Sequence, residues 1–170
     1  MKQPQVQKLH TFTGHKDSIY TLQGAHEPNL FYSGAGDGMV VLWDLTKPDE
    51  GQLIARLPNS IYAIHYHPEK RMLIAGQNYE GIHILDWDTK KETGSLSLTK
   101  AAIFDIQSWE NHLLVATGEG ALIDVDADNL RIMNRNQATG KSARAIAVHK
   151  GRGEIAVGYS DHYIRVFDAG

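Results

Sequence analysis

The sequence contains no cysteine, so disulfides, thiolate metal sites and cysteine nucleophiles are excluded, and no redox compartment can be read from it. No apolar run approaches the roughly 20 residues that cross a bilayer as a helix, and residues 1–10 lack the apolar centre of a secretion signal. A cytoplasmic location and no membrane partner are the expectation. The 17 lysines and arginines form no cluster against 20 acidic residues, for a formal net charge of −3. That gives little purchase on a phosphate backbone and argues against nucleic acid. What is present, 42% hydrophobic and 22% charged residues over 170 positions, is the composition of a folded domain with a core and not of a disordered segment.

A period runs through the chain. Asp17-Ser18-Ile19-Tyr20 recurs as Asn59-Ser60-Ile61-Tyr62, with weaker copies at Ile103-Phe104 and Ala145-Ile146. Ile19, Ile61, Ile103 and Ala145 are each 42 residues apart, inside the roughly 40 to 45 of a propeller blade. Each of the four units reads as short strands, because apolar and β-branched runs of four to six residues alternate with glycine, asparagine or aspartate. In the first unit strands are expected over 18–23, 30–33, 39–43 and 52–57. Gly36-Asp37-Gly38 is a hairpin signal, since both residue types tolerate positive φ, and further hairpins are expected at 78–81, 118–120 and 160–162.

Gly14-His15, Ser33-Gly34-Ala35-Gly36-Asp37-Gly38 and Val41-Leu42-Trp43-Asp44 together resemble a complete WD40 repeat. Degenerate copies end in Asp86-Trp87-Asp88, Val125-Asp126 and Phe167-Asp168. The resemblance implies an all-β fold of four WD40-type propeller blades, each a four-stranded antiparallel sheet, with repeats at about 13–57, 58–98, 99–136 and 137–170. It also implies a hydrogen-bonded chain through His15, Ser33, Asp37 and Trp43 that ties the first blade together. The later units depart from it, with Leu57, Thr99 and Lys141 at the histidine position and Tyr79 and Glu119 at the aspartate position. Blades two to four are therefore expected to rest mainly on apolar packing.

In this family the outer strand of a blade precedes the next repeat in sequence. Residues 6–12 resemble such a strand with no blade before them, while the fourth unit ends without one. Half a ring would leave apolar faces and an unpaired edge in water. The expected solution is a two-fold homodimer closing an eight-bladed ring, residues 6–12 of each copy completing the other's fourth blade. A four-bladed monomer closed by residues 6–12, or the front half of a longer propeller, are the alternatives.

The resemblance further implies a scaffold that binds another protein or peptide through one ring face, at Ser18, Tyr20, Ser60, Tyr62, Ala102, Phe104, Arg144 and Ile146. Large aromatic rings and arginine dominate binding hot spots. His65-Tyr66-His67 sets two imidazoles on one strand face, but with no third ligand in view they read as ordinary strand residues. Gly140-Lys141-Ser142 ends like a phosphate-binding loop, yet Arg135 stands where that loop needs glycine. Gly34-Ala35-Gly36-Asp37-Gly38 lacks the helix of a dinucleotide site. No nucleophile lies beside a base, so no cofactor and no catalysis are expected; a propeller hydrolase or lyase, or a purely structural self-assembling half ring, is the alternative.

Overall fold

Short apolar runs separated by glycine- and aspartate-bearing turns dictate local antiparallel pairing, each strand folding back on the one before it. The computed structural model describes residues 6–169, and among them the strands form four sheets in chain order. The first holds β1 (Ile19–Gly24), β2 (Leu30–Ala35), β3 (Met39–Asp44) and β4 (Gly51–Arg56); the second β5 (Ile61–His67), β6 (Met72–Gln77), β7 (Gly81–Asp86) and β8 (Lys91–Ser97). The third holds β9 (Ile103–Trp109), β10 (His112–Thr117), β11 (Ala121–Asp126) and β12 (Arg131–Gln137), and the fourth β13 (Ala143–His149), β14 (Glu154–Tyr159) and β15 (Ile164–Asp168). The central strands β3, β6, β7 and β10 are buried on both faces and so read as continuous apolar runs, whereas β12 is exposed along its whole length.

The sheets stack as blades: β5 packs beside β1, β9 beside β5 and β13 beside β9. Each joint has the same construction. Ile61 and Ile64 of blade two press on Gly34 of blade one, where an added Cβ would lie 2.6 Å from Ile61 Cγ2 and 3.0 Å from Ile64 Cδ1. Ile103 and Ile106 press on Gly76 of blade two in the same way, at 2.6 and 3.1 Å. At the third joint Ala116 has a Cβ, and the incoming residue shrinks to Ala143 beside Ile146, all three in one buried cluster. Burying each such isoleucine contributes about 2–3 kcal/mol. We expect Gly34→Ala to destabilise the fold by about 1–3 kcal/mol through overpacking, measured by urea denaturation. Gly158, at the matching position of blade four, has no such neighbour within its own chain: an added Cβ there meets nothing within 4 Å.

The fourth blade is three-stranded, with no outer strand on β15 among the described residues, as expected of a unit that ends without one. Residues 6–12 form no strand within the single chain. Two readings are corrected. A four-bladed monomer closed by residues 6–12 is not formed, because the arc stays open: β13 makes no contact with β1 comparable to those between neighbouring blades. And β13 aligns two residues earlier than the 42-residue spacing implies. In every inner strand the register slips just after its first residue, and that residue is Ile19, Ile61, Ile103 and Ala143. The equivalent of Ile103 is therefore Ala143, 40 residues on, and not Ala145.

Candidate functional site

The register slip is a β-bulge, which leaves one residue of each inner strand unpaired and re-aims its side chain out of the ladder. The skipped residues are Tyr20, Tyr62, Phe104 and Arg144. The four bulges line up across the arc. Ring centroids of Tyr20 and Tyr62 are 4.5 Å apart, those of Tyr62 and Phe104 5.6 Å, and the Arg144 guanidinium sits 3.8 Å above the Phe104 ring. Sequence residues far apart thus make one continuous row, three aromatic rings ending in a fixed positive charge. Tyr62 beside it, followed by desolvation and the Asp17 carboxylate, holds the Tyr20 hydroxyl above its ordinary pKa. It remains a neutral donor.

A second row flanks the first. The carbonyls of Ser18, Ser60, Ala102 and Ser142 accept from the backbone N–H groups of Gly36, Asn78, Gly118 and Ser160, closing the other side of each bulge. Ser60 and Ser142 also donate their hydroxyls to the carbonyls of Gly36 and Gly118, at 3.3 and 2.9 Å. Seven of the eight residues anticipated for this face occupy one of these two rows. Ile146 does not: it is buried in the joint between blades three and four, as the equivalent of Leu22, Ile64 and Ile106. Arg144 takes its place beside the aromatic rings, and the place expected for Arg144 in the second row belongs to Ser142, which the sequence reading missed although Ser142-Ala143-Arg144 repeats the pattern Ser18-Ile19-Tyr20.

Beneath the face, His15, Ser33, Asp37 and Trp43 form one chain. His15 Nδ1 lies 3.1 Å from Asp37 Oδ2, His15 Nε2 lies 2.6 Å from Ser33 Oγ, and the Trp43 indole donates to Ser33 Oγ at 2.7 Å. An ionised Asp37 only accepts, so a neutral His15 carries its proton on Nδ1 and accepts from Ser33 at Nε2. Burial pushes the Asp37 pKa up, but the backbone N–H groups of Lys16 and Met39 and the His15 ring together hold it below the ordinary value. Blades three and four carry polar substitutes that the sequence reading did not foresee. Thr99 donates to Glu119, which also pairs with Arg135. Asp161 holds Arg165 with both oxygens, at 2.8 and 3.1 Å, over the Tyr159 ring.

His65 and His67 are both buried, and His67 Nε2 lies 3.3 Å from the Glu110 carbonyl. Among the described residues no group of three or more histidine, cysteine, aspartate or glutamate side chains is placed to hold a metal ion. Trp87 falls outside the third strand and fills no blade centre. It stacks on His26 of blade one, 3.7 Å between centroids, where the first two blades meet.

The model of the WD domain, G-beta repeat, matches residues 6–44. The chain is 32% identical over 85 residues to the Activating molecule in BECN1-regulated autophagy protein 1A of Danio rerio, covering 49% of this chain and 6% of that protein. It is 21% identical over 173 residues to the WD repeat-containing protein SL1-17 of Schistosoma mansoni, covering 96% and 55%. With Eukaryotic translation initiation factor 3 subunit I of Candida albicans identity is 26% over 153 residues, covering 84% and 43%. The chain thus spans about half, or far less, of these relatives. Among solved structures, the computationally designed Ika4 protein superposes with a TM-score of 0.78 at 20% identity, covering 98% of this chain and 100% of that one. The computationally designed Ika8 protein superposes with a TM-score of 0.76 at 20% identity, covering 94% of this chain and 48% of that one.

Proposed function

The chain belongs to the WD40-repeat proteins, and from that premise we propose that it is a non-catalytic scaffold binding another protein through the row Tyr20, Tyr62, Phe104 and Arg144. The observation that carries this reading is the row itself. Three rings give large contact area at low entropic cost, and arginine adds a directional charge, the composition of a binding hot spot. An apolar side chain of a bound peptide lies against the rings, and an acidic group meets Arg144. The same reading takes the open arc as half of an eight-bladed ring completed by a second copy, in which residues 6–12 cross to pair with the partner's β15. What supports the reading of a half is that this chain superposes on 48% of the Ika8 chain.

The test is to pan a displayed random-peptide library on the wild-type protein and measure the enriched peptides against a variant with Tyr62→Ala, Phe104→Ala and Arg144→Ala. We expect peptides with an apolar residue near an acidic one, and a loss of affinity of at least about 100-fold. The three residues touch across the blade joints only through the row itself, so the variant should stay folded by circular dichroism with a modestly lowered unfolding temperature, and the loss of affinity is read on folded protein. Unchanged affinity for the variant would place binding on another surface.

A further inference from the structure

The two ends of the arc differ from every internal joint in being unfilled, and they are unfilled in complementary ways. At one end, Ile19 and Leu22 occupy the positions of the Ile61 and Ile64 pair, yet they are 53% and 66% exposed. At the other end, Gly158 occupies the position of Gly34 and Gly76: it pairs with Ile164 as Gly34 pairs with Val40 and Gly76 with Ile82. An added Cβ at Gly34 or Gly76 would strike the next blade's isoleucine pair, whereas one at Gly158 meets nothing within 4 Å. The strand beside it is equally bare. Ile164 and Val166 are 75% and 62% exposed, while their counterparts Val40 and Leu42 are buried.

We infer that these ends are the two halves of one joint made between copies of this chain: Ile19 and Leu22 of one copy seat against Gly158 of the other, as Ile61 and Ile64 seat against Gly34. The inference rests on the reading of the chain as half a ring. A second copy is the occupant because each chain carries both halves, at opposite ends of an arc whose own ends do not meet. Two arcs satisfy both halves at once under a two-fold axis. They make eight blades, within the roughly four to eight of propellers, whereas three arcs would exceed it. The entry segment is already set for this arrangement. Phe12, 42 residues before Ile54, packs edge-on against Phe31 and Trp43 of blade one at 5.2 and 5.6 Å. Ile54 is likewise buried with Leu85, the counterpart of Trp43 in blade two.

The absence of native cysteine makes the joint directly testable. Ile19→Cys and Gly158→Cys are introduced into separate chains, one lengthened by a tag, which are mixed and oxidised. At the internal joint the Ile61 Cβ lies 3.0 Å from the place of a Cβ on Gly34, close to the roughly 3.5–4.5 Å of a disulfide. We expect a cross-linked band of mixed size in the mixture and little cross-link in either variant alone. Light scattering should give twice 18.9 kDa for the wild type and a single chain for Gly158→Val, with unchanged circular dichroism because that site is empty within one chain. A monomeric wild type overturns the half-ring reading and the joint with it. A dimeric wild type that gives no mixed cross-link and stays dimeric as Gly158→Val leaves the half-ring reading standing and overturns the joint. A cross-link within one chain of the double variant Ile19→Cys/Gly158→Cys overturns it in favour of a four-bladed ring.

Discussion

Replacing Trp43 with alanine is expected to cost about 3–5 kcal/mol of unfolding free energy, the range for deleting a large buried aromatic. Trp43 is the centre on which blade one is assembled. Its indole N–H ends the hydrogen-bonded chain at Ser33, and Phe12 and Phe31 lie against the ring. Gly14 and Gly51 approach it so closely that an added Cβ would come within 3.1 and 2.5 Å. The truncation therefore opens a cavity and leaves His15, Ser33 and Asp37 to rearrange around a missing donor. Trp43→Phe keeps one ring but removes the N–H together with part of the indole volume, so a smaller loss than for alanine is expected: about 1–2 kcal/mol for the lost hydrogen bond plus the cost of a smaller cavity. Urea unfolding followed by circular dichroism reads both. Against a typical total of about 5–15 kcal/mol, the alanine variant gives up a large share of the fold's stability, and its urea midpoint should fall accordingly. A cost below about 1.5 kcal/mol would mean that blade one is held by its neighbours and not by its own centre.

Blade one was legible because its signals are redundant: Gly14-His15, Ser33, Asp37 and Trp43 each have a fixed place, and the structure joins them within hydrogen-bond distance. The aromatic row was half legible. Tyr20, Tyr62 and Phe104 follow from spacing alone, but Arg144 was aligned with the serine row. Ala143 and Ala145 offer no difference in size to fix the register, and the third repeat is two residues shorter than the first two. The physical cue was at the joint, where Ala116 replaces the glycine of Gly34 and Gly76 and so demands a smaller partner, Ala143. The Thr99, Glu119 and Arg135 group was not legible as a substitute for the histidine and aspartate pair. It recruits its cation from the outer strand β12, a place where the repeat pattern has no conserved role to consult. Trp87 misled by identity: Leu85 faces the position of Trp43, since Leu73 pairs with Leu85 as Phe31 pairs with Trp43. Residues 6–12 read as a strand from an outer-strand pattern that names no partner, and they form none in the single chain.

Between pH 6.5 and about 4 the protein should lose about 3 kcal/mol of stability to a single residue, His65. Its imidazole is buried, Nε2 has no hydrogen-bond partner among the described residues, and desolvation, then His67 and Lys150, push its pKa down to about 4 from 6.5. A folded-state pKa below the unfolded one means that the unfolded chain binds the proton more readily throughout that window. Stability thus falls as pH falls, by about 1.4 kcal/mol per unit, and the loss ends once pH is below the folded value. The depressed carboxylates act lower on the scale. Asp37, Asp44, Asp86 and Asp126 sit below 3.8 in the folded chain through hydrogen bonds from neighbouring N–H and hydroxyl groups. Their contributions are intact above their unfolded values and are lost only as pH drops through the folded ones. The two windows barely overlap, which isolates His65. The discriminating variant is His65→Gln, because glutamine already occupies the matching strand position at Gln23 and Gln107. The slope of stability against pH, and not its level, is the readout: urea midpoints measured from pH 7 to 4.5 should fall less steeply for the variant than for the wild type. Parallel slopes would show that His65 gains a proton and a partner on acidification without loosening blade two.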